Sequence, residues 1–188
     1  MSDARSTLLE AVITELDRAG IRDRSLRDIA LAVGSSHRML LHHFGSREGL
    51  LVAVVETIEQ GERDRTSALD LDRAPDPAAA FRAIWRALAQ PHQAGRERLF
   101  FECYARGLQG EVPFDQMLPA AVDTWLTMVT DIGVAAGASR AAARTRARLS
   151  LAVVRGMLLD LLATGDRRGC AAAIDTFSEM TIGPRRRG

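Results

Sequence analysis

Lysine is absent from this chain of 188 residues: all 25 of its basic side chains are arginine. With abundant alanine alongside, that points to a coding bias, so arginine content by itself is no sign of nucleic-acid binding. Cysteine is scarce as well. Cys103 and Cys170 fit no metal or redox spacing and read as buried apolar residues, so no metal and no cofactor is expected. Long apolar runs are missing, both for a membrane span and for a secretion signal, and a cytoplasmic location without membrane contact is the expectation. No segment alternates with the strand period for long enough to argue for a sheet, and no internal repeat occurs. There is no phosphate-binding glycine loop, nucleophile elbow or metalloprotease helix, so an enzyme is not expected.

What is present is globular: 47% of residues are hydrophobic and 26% charged, enough for one ordinary domain or a small domain followed by a larger one. The most informative stretch is residues 25–47. Ser25 and Asp28 fit the capping pattern of a helix start, and Leu26, Ile29, Ala30 and Val33 then recur at helical spacing. Gly34 is a helix stop. Ser35 or Ser36 can cap the next helix, which Leu40 and Phe44 pin to a core. Two short helices, at about 26–33 and 36–43, joined by a tight turn, are the layout of a helix-turn-helix. Charge agrees with that reading. From Arg18 to Arg47 six arginines face two aspartates, a local +4 in a chain whose net charge is +1, and three of the four histidines lie in the same window.

On these residues the stretch 6–55 resembles the N-terminal DNA-binding domain of the TetR family of transcriptional repressors. The features that carry the likeness are an amphipathic first helix, Gly20, the run from Ser25 to Ala30, Gly34, and the run from Leu40 through His42, His43, Phe44, Gly45, Ser46 and Arg47 to Leu51. Two positions depart from the family: Leu41 stands where a backbone-contacting tyrosine is usual, and Arg47 where a lysine is usual. The resemblance implies an all-α fold: an N-terminal three-helix, helix-turn-helix DNA-binding domain over 1–48, then a larger helical ligand-binding and dimerisation domain over 49–188.

Candidate DNA contacts follow. Ser25 caps its helix, and the resemblance adds a phosphate contact there. Arg38, early on the second helix, is placed to contact either a base, where it can pair with guanine, or a phosphate, and Arg47 to meet a phosphate. Ser35, Ser36, His37 and His42 are read as polar contacts, Leu41 as an apolar one, and His43 as partly structural. The histidine spacing argues against metal, since His37 and His42 lie far apart around a helix.

The rest of the chain also reads as helix. Leu9, Val12, Ile13 and Leu16 mark a first helix ending near Gly20, and Ser46 caps a longer one running to about 67. Residues 69–77, with two prolines, read as a connection. Helices are predicted at 77–89, 95–108, 115–136, 139–164 and 168–181, with Pro91, Gly107, Gly110, Pro113, Gly137, Gly165 and Gly169 as breakers. Pro184 to Gly188 reads as a solvated arginine tail, a DNA-contacting arm being its other use. Arg98, Glu102 and Arg106 repeat every four residues and predict an ion-pair ladder.

The resemblance implies a homodimer built mainly from the last two long helices, and a small-molecule effector site in the second domain. A stripe of Leu151, Val154, Leu158 and Leu161, continued by Ile174 and Phe177, is the candidate dimer face. Trp85, Trp125 and Met128, with Phe100, Phe101, Tyr104 and Met117, are candidate ligand-lining residues. The expected function is a dimeric regulator, most simply a repressor released from a palindromic, double-stranded operator by a small molecule. The alternative is a helical protein-interaction module without DNA binding.

Overall fold

The structure, a computed structural model, describes residues 2–20, 24–69, 71, 74 and 76–181; the arginine tail lies outside them. Among the described residues there is no strand, and the fold is all-α. Helices α1 (Ser2–Ala19), α2 (Leu26–Ala32), α3 (His37–Phe44) and α4 (Arg47–Ser67) are followed by α5 (Pro77–Leu88), a 3-10 turn at Pro91–Gln93, α6 (Ala94–Leu108), α7 (Phe114–Ala135), α8 (Arg140–Thr164) and α9 (Arg167–Thr181).

Local chemistry sets these boundaries. Asp76 caps α5, its carboxylate accepting the Ala79 N–H at 2.7 Å, with Pro77 in the first turn, where its missing N–H costs nothing. Ser139 caps α8 in the same way. Between α2 and α3 the Gly34 N–H donates to Leu31 O at 3.2 Å and the Ser35 N–H to Ala30 O at 2.9 Å. That closure requires a left-handed residue, and Gly34 supplies it at φ +65°.

The chain forms two compact units. The first comprises Met1–Gly61 and Ala94–Ala121. Its core joins Val12 and Leu16 of α1, Ile29 of α2, Leu40 of α3 and Leu50, Leu51 and Val54 of α4 to Phe100 and Cys103 of α6 and Phe114 and Met117 of α7. Glycine allows the close crossings. A side chain at Gly95 would meet the Asp17 carbonyl oxygen of α1 at 2.6 Å. One at Gly107 would meet Phe114 O at 2.7 Å, so Gly107, predicted as a breaker, is instead a buried residue inside α6 that lets the next helix approach. Arg106 also departs from the predicted ladder: its Nε donates to Glu111 Oε2 at 2.8 Å, and its guanidinium lies 3.7 Å from Glu48 and 4.1 Å from the Phe114 ring centroid. Burial pushes the Cys103 thiol up to about 12, so it stays protonated and serves as an apolar filler.

The second unit comprises Glu62–Gln93 and Val122–Gly188. Here α9 packs on α5 and α8. Phe81 and Phe177 meet at 5.3 Å between centroids with their rings tilted at 55°, Arg82 donates to Ser178 Oγ at 3.1 Å, and Arg167 donates to Ala89 O at 2.7 Å. Helices α4 and α7 each begin in the first unit and end in the second.

Candidate nucleic-acid interface

The α2–α3 pair is held from three sides. At the start of α2 a complete capping box forms: Ser25 Oγ accepts the Asp28 N–H at 3.2 Å, and the Ser25 N–H donates to Asp28 Oδ2 at 2.8 Å. The Ser25 hydroxyl also donates to Asp28 Oδ2, at 2.6 Å. These bonds hold the Asp28 carboxyl below the usual aspartate range, so a negative charge sits beside the serine expected to touch a phosphate.

Arg24 forms the second anchor. Its guanidinium donates to Glu15 Oε1 of α1 at 2.8 Å, while its carbonyl accepts the Arg47 Nε–H at 2.7 Å. Arg47, at the start of α4, also lies 3.5 Å from Glu48 and is half-buried. It therefore fastens α4 to the residue before α2, a structural duty the sequence reading did not assign. Glu15 binds Arg18 as well as Arg24 and is held below the ordinary glutamate range by both, so part of the basic window is neutralised by an acid just outside it.

The third anchor is α3 itself. Ser36 caps it, accepting the Met39 N–H at 3.1 Å, and Leu40 (0% exposed) and Phe44 (9% exposed) enter the core. Arg38, Met39, Leu41 and His42 are left exposed, while His37 and Ser35 are half-buried. His43 is half-buried, its ring edge-on to His42 at 5.0 Å and to Phe44 at 6.1 Å, with Nε2 buried; it belongs to the scaffold. Arg27, on the outer face of α2, is exposed too. The result is a rigid short helix carrying a fixed cation, an imidazole and apolar groups to solvent, the equipment for reading base edges.

The other predicted sites fare differently. Of the candidate ligand-lining residues, Trp85, Trp125 and Met128 lie in the second unit, but Phe100, Phe101, Tyr104 and Met117 belong to the first unit's core or pack against it. Phe100 meets Phe101 at 5.2 Å and Tyr104 at 5.5 Å between centroids. The seven are thus not gathered in one unit. The candidate dimer stripe is divided between buried and partly exposed positions. Val154, Leu158 and Ile174 are buried within the single chain, and Leu151, Leu161 and Phe177 are half-buried. The buried three help to pack α8 and α9 within their own unit. The face that remains outward carries Leu149, Ala152, Gly156, Leu159 and Ala163. Sequence reasoning also missed Met39 and Arg24. Projecting α3 around its axis would have found the first, whereas no local signal announces the bonds of the second.

Residues 8–54 match the family described as bacterial regulatory proteins, tetR family. Over 80 residues, 43% of this chain, the sequence is 30% identical to the HTH-type transcriptional regulator BetI of Stenotrophomonas maltophilia. That stretch spans 41% of the relative's length. Among solved structures, the chain is similar to a transcriptional regulator of Rhodococcus sp. RHA1, with a TM-score of 0.78 at 22% identity, covering 94% of this chain and 95% of that one. It is also similar to a transcriptional regulator of Saccharomonospora viridis in complex with choline, with a TM-score of 0.75 at 21% identity over 98% of this chain and 100% of the other. At such identities the structural likeness establishes the shared fold.

Proposed function

Because residues 8–54 match the tetR family of bacterial regulatory proteins, we propose that the chain is a DNA-binding transcriptional regulator of that family rather than an enzyme, acting as a homodimeric repressor that a small molecule releases from a palindromic operator. The observation that carries this reading is the outward face of α3. Arg38 and His42 are exposed on it, while Leu40 and Phe44 fix the helix from behind. One such helix makes too few contacts for strong specific binding, so two copies would read half-sites on successive turns of the duplex.

The outward stripe of α8 supports the dimer. Leu149 and Leu159 are 45% and 49% exposed, and a glycine in mid-helix costs about 1 kcal/mol against alanine. Gly156 has open space where a side chain would stand, which suits the close approach of a second helix. For the effector, the supporting residues are Trp85, Trp125 and Met128 of the second unit, together with the choline-bound regulator of the same fold. A ligand favouring a state with misaligned recognition helices would weaken DNA binding by its differential affinity, typically about 1–3 kcal/mol. Helix α4, shared by the two units, is the proposed lever.

The test is fluorescence anisotropy with the intergenic DNA flanking the gene, across a salt series. Specific, salt-sensitive binding is expected, and Arg38→Ala should cost about 1–3 kcal/mol and relax preference at one position per half-site. Absence of any salt-sensitive specific complex would overturn the regulator reading and favour a protein partner for the exposed Leu31, Met39 and Leu41.

A further inference from the structure

Successive residues of a helix advance by about 100°. In α3 the buried Leu40 and Phe44 therefore define the inward direction between them, and the opposite direction falls on His42. Arg38 lies about 40° to one side of His42 and Met39 about 60° to the other, whereas Leu41 lies about 100° away, on the flank. Met39 is accordingly closer than Leu41 to the centre of the outward face, and the residue is 43% exposed. Its backbone is fixed: its N–H donates to the Ser36 side chain at 3.1 Å and to Ser36 O at 3.0 Å. Three of the large apolar side chains left in the open, Leu31 at 81%, Met39 and Leu41, lie on the α2–α3 pair, so this face is partly greasy as well as basic.

We propose that Met39 is a base-reading, specificity-determining residue, and that each half-site carries a thymine whose 5-methyl group packs against the Met39 thioether, close to the guanine read by Arg38. This rests on the DNA-binding reading above and deepens it. The chemistry follows from what methionine has. It carries no hydrogen-bond donor, and its sulfur is a weak acceptor, so on the major-groove edge of a base pair it gains most from an apolar group. Thymine alone among the four bases presents one there. Arg38 next to it offers the paired donors that suit guanine O6 and N7. A face combining the two discriminates among base pairs at neighbouring positions, whereas a purely basic face would bind phosphates without preference.

The experiment uses the full chain. A randomised duplex pool is first selected on the native protein, and the enriched duplex is resynthesised with each thymine replaced in turn by deoxyuridine, which removes only the methyl. At one position per half-site the replacement should weaken binding by about fourfold, the worth of one buried methyl. Met39→Ala should bind the thymine and deoxyuridine duplexes equally, with unchanged thermal stability because the side chain lies on the surface. If an enriched duplex is indifferent to every replacement, or Met39→Ala keeps the discrimination, Met39 is not the reader. Leu41→Ala measured alongside shows whether the flank reads the methyl instead, which would also overturn the assignment. A pool that enriches no sequence overturns the DNA-binding reading itself, and this proposal with it.

Discussion

Arg47 shows how one guanidinium can be claimed by two duties. Its position at the first turn of α4 suits a phosphate, yet its Nε–H is committed to the Arg24 carbonyl at 2.7 Å, and Arg24 is itself bound to Glu15. The chain of contacts ties α1, the start of α2 and the start of α4 together, so removing the side chain disturbs the scaffold before it disturbs any DNA contact. Arg47→Ala is therefore expected to lower stability by about 1.5–3 kcal/mol, the range for a hydrogen bond that involves a charged group. Urea denaturation checks this. Native stability with weakened, less salt-sensitive DNA binding would instead make Arg47 a phosphate contact alone. Ser25 carries a comparable tension, because its hydroxyl proton is given to Asp28, leaving its oxygen and the neighbouring carboxylate facing any approaching phosphate.

At the scale of helices, the sequence specifies where each one starts and stops far better than which way it faces. Capping residues and glycines act locally, so Ser25, Ser36, Gly34, Asp76 and Ser139 mark boundaries that the structure repeats to within a residue or two. Direction is settled by partners that are remote in sequence. Helix α8 repeats apolar or small residues on two faces, one through Val154 and Leu158 and the other through Leu149, Gly156 and Leu159, and periodicity cannot rank them. Burial in the single chain does: the first face is inside and the second is exposed, which is why the proposed dimer is placed on the second. Gly156→Leu should then convert the proposed dimer to monomer without unfolding the chain, since nothing in the chain stands within 4 Å of the added Cβ. Analytical ultracentrifugation combined with circular dichroism reads both quantities. A variant that remains dimeric with native affinity would move the interface elsewhere.

The unit that presents α3 is larger than the contiguous stretch carrying the helix-turn-helix pattern. Its core is completed by α6 and the start of α7, through Leu99, Phe100, Cys103, Phe114 and Met117, which pack with Val12, Leu50, Leu51 and Val54 from the other end of the sequence. No local pattern announces this, because the partners are separated by the whole of α5 and the aromatic spacing of α6 fits a ligand pocket as well as a core. The consequence is testable at a distance. Phe100 is 3% exposed, and truncating a buried phenylalanine to alanine costs about 3–5 kcal/mol, a large share of the 5–15 kcal/mol that holds a typical protein folded. Phe100→Ala should therefore speed hydrogen exchange in peptides covering α1 to α3 and weaken DNA binding, although the substitution lies far from α3 in sequence and touches no base. Both tryptophans, Trp85 and Trp125, lie in the second unit, so their fluorescence reports that unit and serves as an internal control. Unchanged exchange in α1 to α3 would mean that the first unit holds α3 without α6.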